Sequence, residues 1–179
     1  MKKAPRTRLI FGVRRRPGKG AQGILSLRGL AWPCAIGKGG ISARKREGDG
    51  ATPLARLKVL AGYGRRDGIV GLKASMPMTQ IGDDLGWCDA PGDRNYNRPV
   101  RLPYAAGHEN MRRPDHLYDV CLVLDWNIRP RIRNRGSAIF VHLARPGFPP
   151  TEGCIAVAPR TMARLLPLIG KGAEFRVMR

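Results

Sequence analysis

Two residues of this sequence have the types and spacing for acyl-transfer chemistry. Cys154 stands in Thr151-Glu152-Gly153-Cys154-Ile155-Ala156-Val157, and His142 closes the apolar run Ser137-Ala138-Ile139-Phe140-Val141-His142. A thiol needs a base to become a nucleophile at neutral pH, and an imidazole of pKa near 6.5 is the commonest one. A cysteine directly after a glycine can sit on a tight turn with backbone N–H groups turned outward. Such donors stabilise a developing oxyanion, so the N–H groups of Gly153 and Cys154 are the expected oxyanion donors. Gly153 has no Cβ to obstruct the turn. An imidazolium beside the sulfur would lower the thiol pKa and give thiolate at neutral pH. The plainer reading of the same residues is a buried thiol at the start of a strand.

These side chains need a rigid frame. Tyr118–Leu124 is a nearly continuous apolar run of strand length and Ser137–Leu143 is its equal, so both are expected as core strands. Ile24–Leu27 and Ala31–Ile36, with Arg28-Gly29 between them, read as a hairpin. Leu9–Val13, Leu57–Leu60 and Phe175–Met178 read as further strands, and Ile69–Pro77 as an extended piece. One helix is expected over Thr161–Ile169: Pro159 opens it, Met162, Leu165, Leu166 and Ile169 share a face, and Gly170 stops it. Residues 82–103 read as a long polar loop carrying Trp87 and Tyr96, and a loop of that length suits function. Gly 23 and Pro 15 in 179 residues favour many turns and short strands over a helical bundle. With no repeat and no linker, the expectation is a basic, flexible segment over 1–20 and a single, mainly β domain over 21–179.

The net charge of +20 is the strongest compositional signal. Thirteen basic residues precede Glu47, the first acid, and Arg129, Arg131, Arg133 and Arg135 form a second cluster. Such a surface favours polyanions: nucleic acid, anionic headgroups or a carboxylate-rich polymer. Arg outnumbers Lys by 25 to 8, a bias that genome composition alone can produce. A basic nucleic-acid-binding protein with an incidental cysteine is therefore the competing reading from another class. Gly37-Lys38-Gly39-Gly40-Ile41 lacks the spacing of a phosphate-binding loop. No apolar stretch approaches the roughly 20 residues of a membrane span, and the early run Leu9–Val13 is too short for a secretory signal.

The other cysteines, 34, 88 and 121, form no Cys-x-x-Cys pair, so no metal site is expected, and no cofactor is called for. Cys34 and Cys121 lie in apolar runs and should be inert buried thiols, with Cys88 in a loop.

Ser137–Val157 resembles the catalytic segment of the L,D-transpeptidase (YkuD-like) family, in which a histidine ends a core strand and Ser/Thr-x-Gly-Cys-Ile/Val-Arg follows a variable loop. The matching positions are His142, Thr151, Gly153, Cys154 and Ile155, and Thr52-Pro53 resembles the family's upstream Thr-Pro strand. The likeness runs from about Ile24 to the C-terminus, specific in its second half and loose in its first. It departs at Ala156, where the family's arginine usually stands, and at Leu143, Ala55 and Leu57.

The resemblance implies a mixed β-sandwich or barrel-like catalytic domain with one or two helices. It implies acyl transfer on peptidoglycan stem peptides through a Cys154 acyl-enzyme, with His142 as base and carbapenems as acylating inhibitors. An L,D-carboxypeptidase or stem-peptide amidase on the same site is the alternative, and nucleic acid is not the expected partner. Thr151, His108, Leu143 and Arg145 are candidate pocket residues, and His116 a structural one. The carboxylate-binding arginine must come from elsewhere, with Arg101, Arg145 and the 129–135 cluster as candidates. The implied substrate belongs to the periplasm or cell envelope, yet the sequence as read shows no export signal, so a cytoplasmic location stays open as the alternative.

Overall fold

The computed structural model describes residues 9–66 and 72–179. Strands β1 (Ile10–Arg15), β2 (Gln22–Leu27) and β3 (Leu30–Ala35) form a meander. Arg28 and Gly29, between β2 and β3, both have positive φ (48° and 83°), the two-residue turn whose twist matches an antiparallel pair. Two short strands, β4 (Ile41–Ser42) and β5 (Thr52–Pro53), pair with each other, and β6 (Arg56–Gly64) and β7 (Met78–Gln80) follow. Next come β8 (Leu85–Cys88), β9 (Arg98–Arg101), β10 (His108–Asn110), β11 (Val120–Leu124), β12 (Phe140–Leu143) and β13 (Ile155–Val157). Helix α1 (Pro159–Leu165) and β14 (Glu174–Met178) complete the order.

Strands β11, β12, β13, β3, β2, β1, β14 and β6 close into a ring, because β6 pairs with both β14 and β11, and β7 adds in parallel to the end of β6. The first residues of β6, Arg56–Lys58, pair with β14, and Val59–Gly64 pair with β11. The result is a mainly β, barrel-like domain, and α1 is the one helix among the described residues.

Alternation along β11 and β12 divides their side chains between two cores. Val120, Leu122, Leu124, Ile139 and Val141 join the barrel core with Phe11, Leu25, Leu57, Phe175 and the helix residues Met162 and Leu165. Cys121, Val123 and Phe140 point the other way, into a smaller core with Trp87, Met111, Tyr118 and Cys154. A three-stranded sheet of order β10-β8-β9 carries Trp87 into that second core.

Several expectations change here. Residues 82–103 are not one loop, since they contain β8 and β9. The strands escape a periodicity reading because each has only four residues, and Pro99 is tolerated on the edge strand β9. Cys88 is correspondingly a buried strand residue rather than a loop residue. Cys34 and Cys121 are fully buried, and burial pushes the Cys34 thiol up to about 12. The helix begins at Pro159 and its α-helical part ends at Leu165, yet Met162, Leu165, Leu166 and Ile169 are all buried, because a turn carries the apolar face onward. The strand expected at Leu9–Val13 is β1, so the basic segment expected over 1–20 is part of the barrel from Ile10 onward. Residues 1–8 of that segment lie outside the described residues. So does part of the extended piece expected at 69–77, whose described remainder, Leu72–Pro77, precedes β7 without strand structure.

Candidate active site

His142 reaches its place through strand register. It lies opposite Cys121 across β11 and beside Ala156 across β13, on the face of β12 that Phe140 also uses. Its side chain is 5% exposed. The Nδ1–H donates to the Leu143 carbonyl (2.8 Å), which fixes the tautomer and leaves Nε2 as the lone-pair nitrogen. The Tyr118 ring meets the imidazole edge-on at 5.1 Å between centroids. Burial lowers the His142 pKa to about 4, against the opposing pull of the Leu143 carbonyl.

Cys154 follows a turn built by Thr151. The Thr151 hydroxyl donates to the Cys154 carbonyl (2.7 Å) and accepts the Gly153 N–H (3.2 Å). Gly153 sits at φ 128°, and a Cβ there would lie 2.8 Å from the Ala51 carbonyl oxygen, so only glycine suits both the dihedral and the packing. Ala51 precedes β5, which connects the Thr52-Pro53 segment to this turn. Thr52 Oγ1 accepts the Gly37 N–H (2.8 Å), and the Lys38 N–H donates to the Thr151 carbonyl (2.8 Å).

The Cys154 sulfur accepts the Phe140 N–H (3.4 Å) and donates to the Ala138 carbonyl (3.1 Å). Burial, followed by the nearby Glu109 carboxylate, pushes its thiol up to about 12. The expectation of a resting thiolate beside an imidazolium is therefore corrected: both partners rest neutral, because a buried site disfavours each charged form. The Gly153 N–H, expected to point at an oxyanion, is directed to Thr151 Oγ1.

Cys154 and His142 line one cavity of about 400 Å³, together with Thr151, His108, Leu143 and Arg145. The structure thus brings every candidate pocket residue read from the sequence to one place. His108, on β10, holds the Ala106 carbonyl through Nδ1 (2.8 Å). His116 lies outside the cavity, exposed and bonded to Asp119 Oδ2 (3.0 Å). Arg101 pairs with Asp84 on the exposed edge of β9, also away from it.

The cavity also gathers residues the sequence reading passed over: Glu47, Asp89, Glu109, Arg113 and Tyr118. Tyr118 Oη donates to Glu109 Oε1 (2.7 Å), and Arg113 Nη1 donates to the same oxygen (3.2 Å). Burial raises the Glu109 pKa while Tyr118 and Arg113 oppose that rise. Arg113 grips Asp115 through two parallel hydrogen bonds, Nε to Oδ1 (2.9 Å) and Nη2 to Oδ2 (2.7 Å). Arg145 Nη2 donates to the second of those oxygens (2.7 Å). These hydrogen bonds hold Asp115 well below the usual carboxylate range. The signal that could have found this group is the charged run Glu109-Asn110-Met111-Arg112-Arg113-Pro114-Asp115 directly before a core strand. Among the described residues no group of three or more His, Cys, Asp or Glu is placed to hold a metal ion, and no helix is long and apolar enough to cross a membrane.

Among solved structures the chain is similar to an L,D-transpeptidase from Mycobacterium smegmatis, at 13% identity and a TM-score of 0.43, over 96% of this chain and 59% of that one. It is also similar to L,D-transpeptidase 1 of Mycobacterium tuberculosis, at 12% identity and a TM-score of 0.42, over 95% and 61%. The chain spans about three-fifths of the length of those proteins. Comparison with curated proteins finds no match. Residues 25–177 match the family model described as the YkuD L,D-transpeptidase catalytic domain, and on that match the chain belongs to this family.

Proposed function

We propose that the chain catalyses acyl transfer on peptidoglycan stem peptides, with Cys154 as nucleophile and His142 as general base. The observation that carries this reading is the fixed His142 tautomer: Nδ1–H is committed to the Leu143 carbonyl, so Nε2 is free to accept a proton in the cavity that Cys154 lines. Because thiol and imidazole both rest neutral, proton transfer accompanies attack rather than preceding it. Sγ bonds to the substrate carbonyl carbon as Nε2 takes the thiol proton. The C–N bond to the terminal D-amino acid then breaks, and the proton leaves on the departing amine. An amine of a second stem, or water, releases the acyl group by the same steps in reverse. With the Gly153 N–H held by Thr151, the Cys154 N–H is the oxyanion donor in this scheme.

Arg145 is the group assigned to the substrate carboxylate, in place of the arginine absent at Ala156. Arg113 shares the cavity, but its guanidinium is committed to Asp115, Glu109 and the Tyr118 ring. Arg145 is half-exposed, and its contact with Asp115 involves a single nitrogen. The remaining N–H groups of its planar fork suit bidentate carboxylate binding. The same reading assigns the protein to the cell envelope.

Intact-mass measurement after incubation with a carbapenem tests the proposal. The expected result is one covalent adduct, lost in Cys154→Ala. A folded protein that forms no adduct anywhere between about pH 6 and 8, where the thiol and imidazole keep one protonation state, would sink it. Purified tetrapeptide-bearing muropeptides then distinguish transfer, which yields dimers, from hydrolysis, which yields tripeptides alone.

A further inference from the structure

The loop from Asp89 to Asn97 borders two cavities. Asp89 faces the catalytic one, while Asp93, Arg94 and Tyr96 line a second, of about 450 Å³. Arg129, Arg131 and Arg133, from the loop after β11, line the same second cavity. None of these four arginines makes an ion pair among the described residues, and Arg131 donates only to the Tyr96 carbonyl (3.4 Å). Asp93, the one acid at this cavity, is already engaged by the Tyr104 hydroxyl (2.7 Å) and the Asn95 N–H (2.7 Å). What sets these arginines apart is their gathering around one concavity. Arg101, Arg112 and Arg145 are held by Asp84, Asp83 and Asp115, and other exposed arginines without an ion pair among the described residues, such as Arg28 and Arg56, line neither cavity.

The unpaired charges stand on a braced scaffold. Asn127 accepts the Ile132 N–H (2.8 Å) and donates to the Ile132 and Gly136 carbonyls (both 2.9 Å), which closes the arginine loop on itself. Asn97 ties that loop to the 89–97 loop by donating to the carbonyls of Trp126 (3.0 Å) and Asn127 (2.9 Å). Arg94 is offset in part by the neighbouring Asp93 carboxylate, and Arg129, Arg131 and Arg133 leave the cavity with an excess of positive charge that an anion would balance.

We propose that this arginine-bordered cavity docks a carboxylate-bearing stem of the peptidoglycan polymer while the catalytic cavity works on another stem. The inference rests on the reading of the catalytic cavity as acting on that polymer. Guanidinium groups take carboxylates through paired N–H donors, and a concave pocket suits a projecting stem. Single-stranded nucleic acid fits less well, because it needs open aromatic faces for its bases. Tyr96 is buried with its hydroxyl donated to Glu47, and the Arg135 guanidinium covers Trp126 at 5.9 Å.

The test is co-sedimentation of the full chain with purified sacculi, and with the same sacculi after amidation of the stem carboxyls. The variant is Arg94→Ser/Arg129→Ser/Arg133→Ser, three exposed residues with no ion pair among the described residues. Its expected binding is about tenfold weaker than wild type, the sum of three modest exposed charge contacts. Amidated sacculi should bind both proteins equally and more weakly still, because amidation also removes the carboxylate assigned to Arg145. The charge-keeping variant Arg94→Lys/Arg129→Lys/Arg133→Lys should fall between, which separates docking from a folding defect. Carbapenem acylation of Cys154 is measured in parallel. It should be equal in all three proteins, and its absence overturns the catalytic reading without touching the sedimentation result. Equal binding by wild type and the serine variant, or equal binding to amidated sacculi, overturns the docking proposal. So does a single-stranded oligonucleotide that displaces wild type from sacculi at an equal concentration of charge.

Discussion

The two faces of the β11–β12 ladder are made of the same strands and bury side chains equally well, yet they do different work. The inner face presents Val120, Leu122, Leu124, Ile139 and Val141 to the apolar barrel core around Phe11, Leu25, Leu57 and Phe175. The outer face presents Cys121, Phe140 and His142, and meets Cys154 and Tyr118 under the small sheet. Burial on the inner face removes apolar surface from water and is favourable throughout. On the outer face the same burial disfavours charge, raising Cys154 and lowering His142. A two-residue period therefore separates stability from reactivity within one pair of strands.

The largest expected effect lies on the outer face, at His142, the base of the proposed reaction. His142→Gln should slow carbapenem acylation of Cys154 by about a thousandfold, in the range for loss of a positioned general base. The pH dependence of stability gives an independent readout. The folded-state pKa is about 4 against 6.5 in the unfolded chain, so between these values the unfolded state binds more protons. Stability then rises with pH across that window, by up to about 3 kcal/mol from His142, and is lost as pH falls toward 4. Denaturant titrations from pH 4 to 7 should show this slope in wild type and a shallower one in His142→Gln. Identical slopes would mean that the imidazole is not held neutral by burial, and the contrast between the two faces would fail.

The inner face should behave oppositely. Leu122→Ala removes a fully buried side chain from the barrel core and should cost about 3 kcal/mol, read as a lowered urea midpoint. Acylation per folded molecule should stay within about twofold of wild type, because substitutions on separate packing networks act independently. Phe140→Leu, on the outer face, should disturb acylation more than stability, since the ring packs edge-on against Trp87 and Tyr118 beside the cysteine. If Leu122→Ala slowed acylation as much as Phe140→Leu, the two faces would be one cooperative unit.

This division explains what could be read from the sequence. The strands at Tyr118–Leu124 and Ser137–Leu143, the Arg28-Gly29 hairpin and the apolar face of Met162, Leu165, Leu166 and Ile169 were legible because each is a local pattern. That Cys154 and His142 are candidates was legible because few residue types do nucleophile and base chemistry, and the fold brings both to one cavity. The β8–β10 sheet was not, since strands of three or four residues carry too few alternations to register. The resting protonation state was not legible either, because it follows from burial by segments distant in the chain. Glu109 and Arg113 escaped for the same reason: charged side chains before a strand read as a solvated surface until Tyr118 and Asp115 are seen to hold them.

The smallest expected effect concerns the rim where the reactive face opens to substrate. Arg145→Gln keeps a hydrogen-bonding side chain but removes the guanidinium that Asp115 holds at the cavity. If Arg145 takes the substrate carboxylate, kcat/KM for tetrapeptide muropeptides should fall about tenfold, mostly through KM, the loss expected for one partly exposed ionic contact. Amidating the substrate carboxyl should lower wild type to the same level and leave Arg145→Gln unchanged, since the charge pair is then already absent. Asp115→Asn should act on the same step through a different route. It leaves Arg145 charged but unheld, so the loss should be smaller than for Arg145→Gln and the preference for a free carboxyl should remain. A variant Arg145→Gln that still preferred the free carboxyl would move the carboxylate site to Arg113, and the internally paired half of the cavity would be the substrate-reading half.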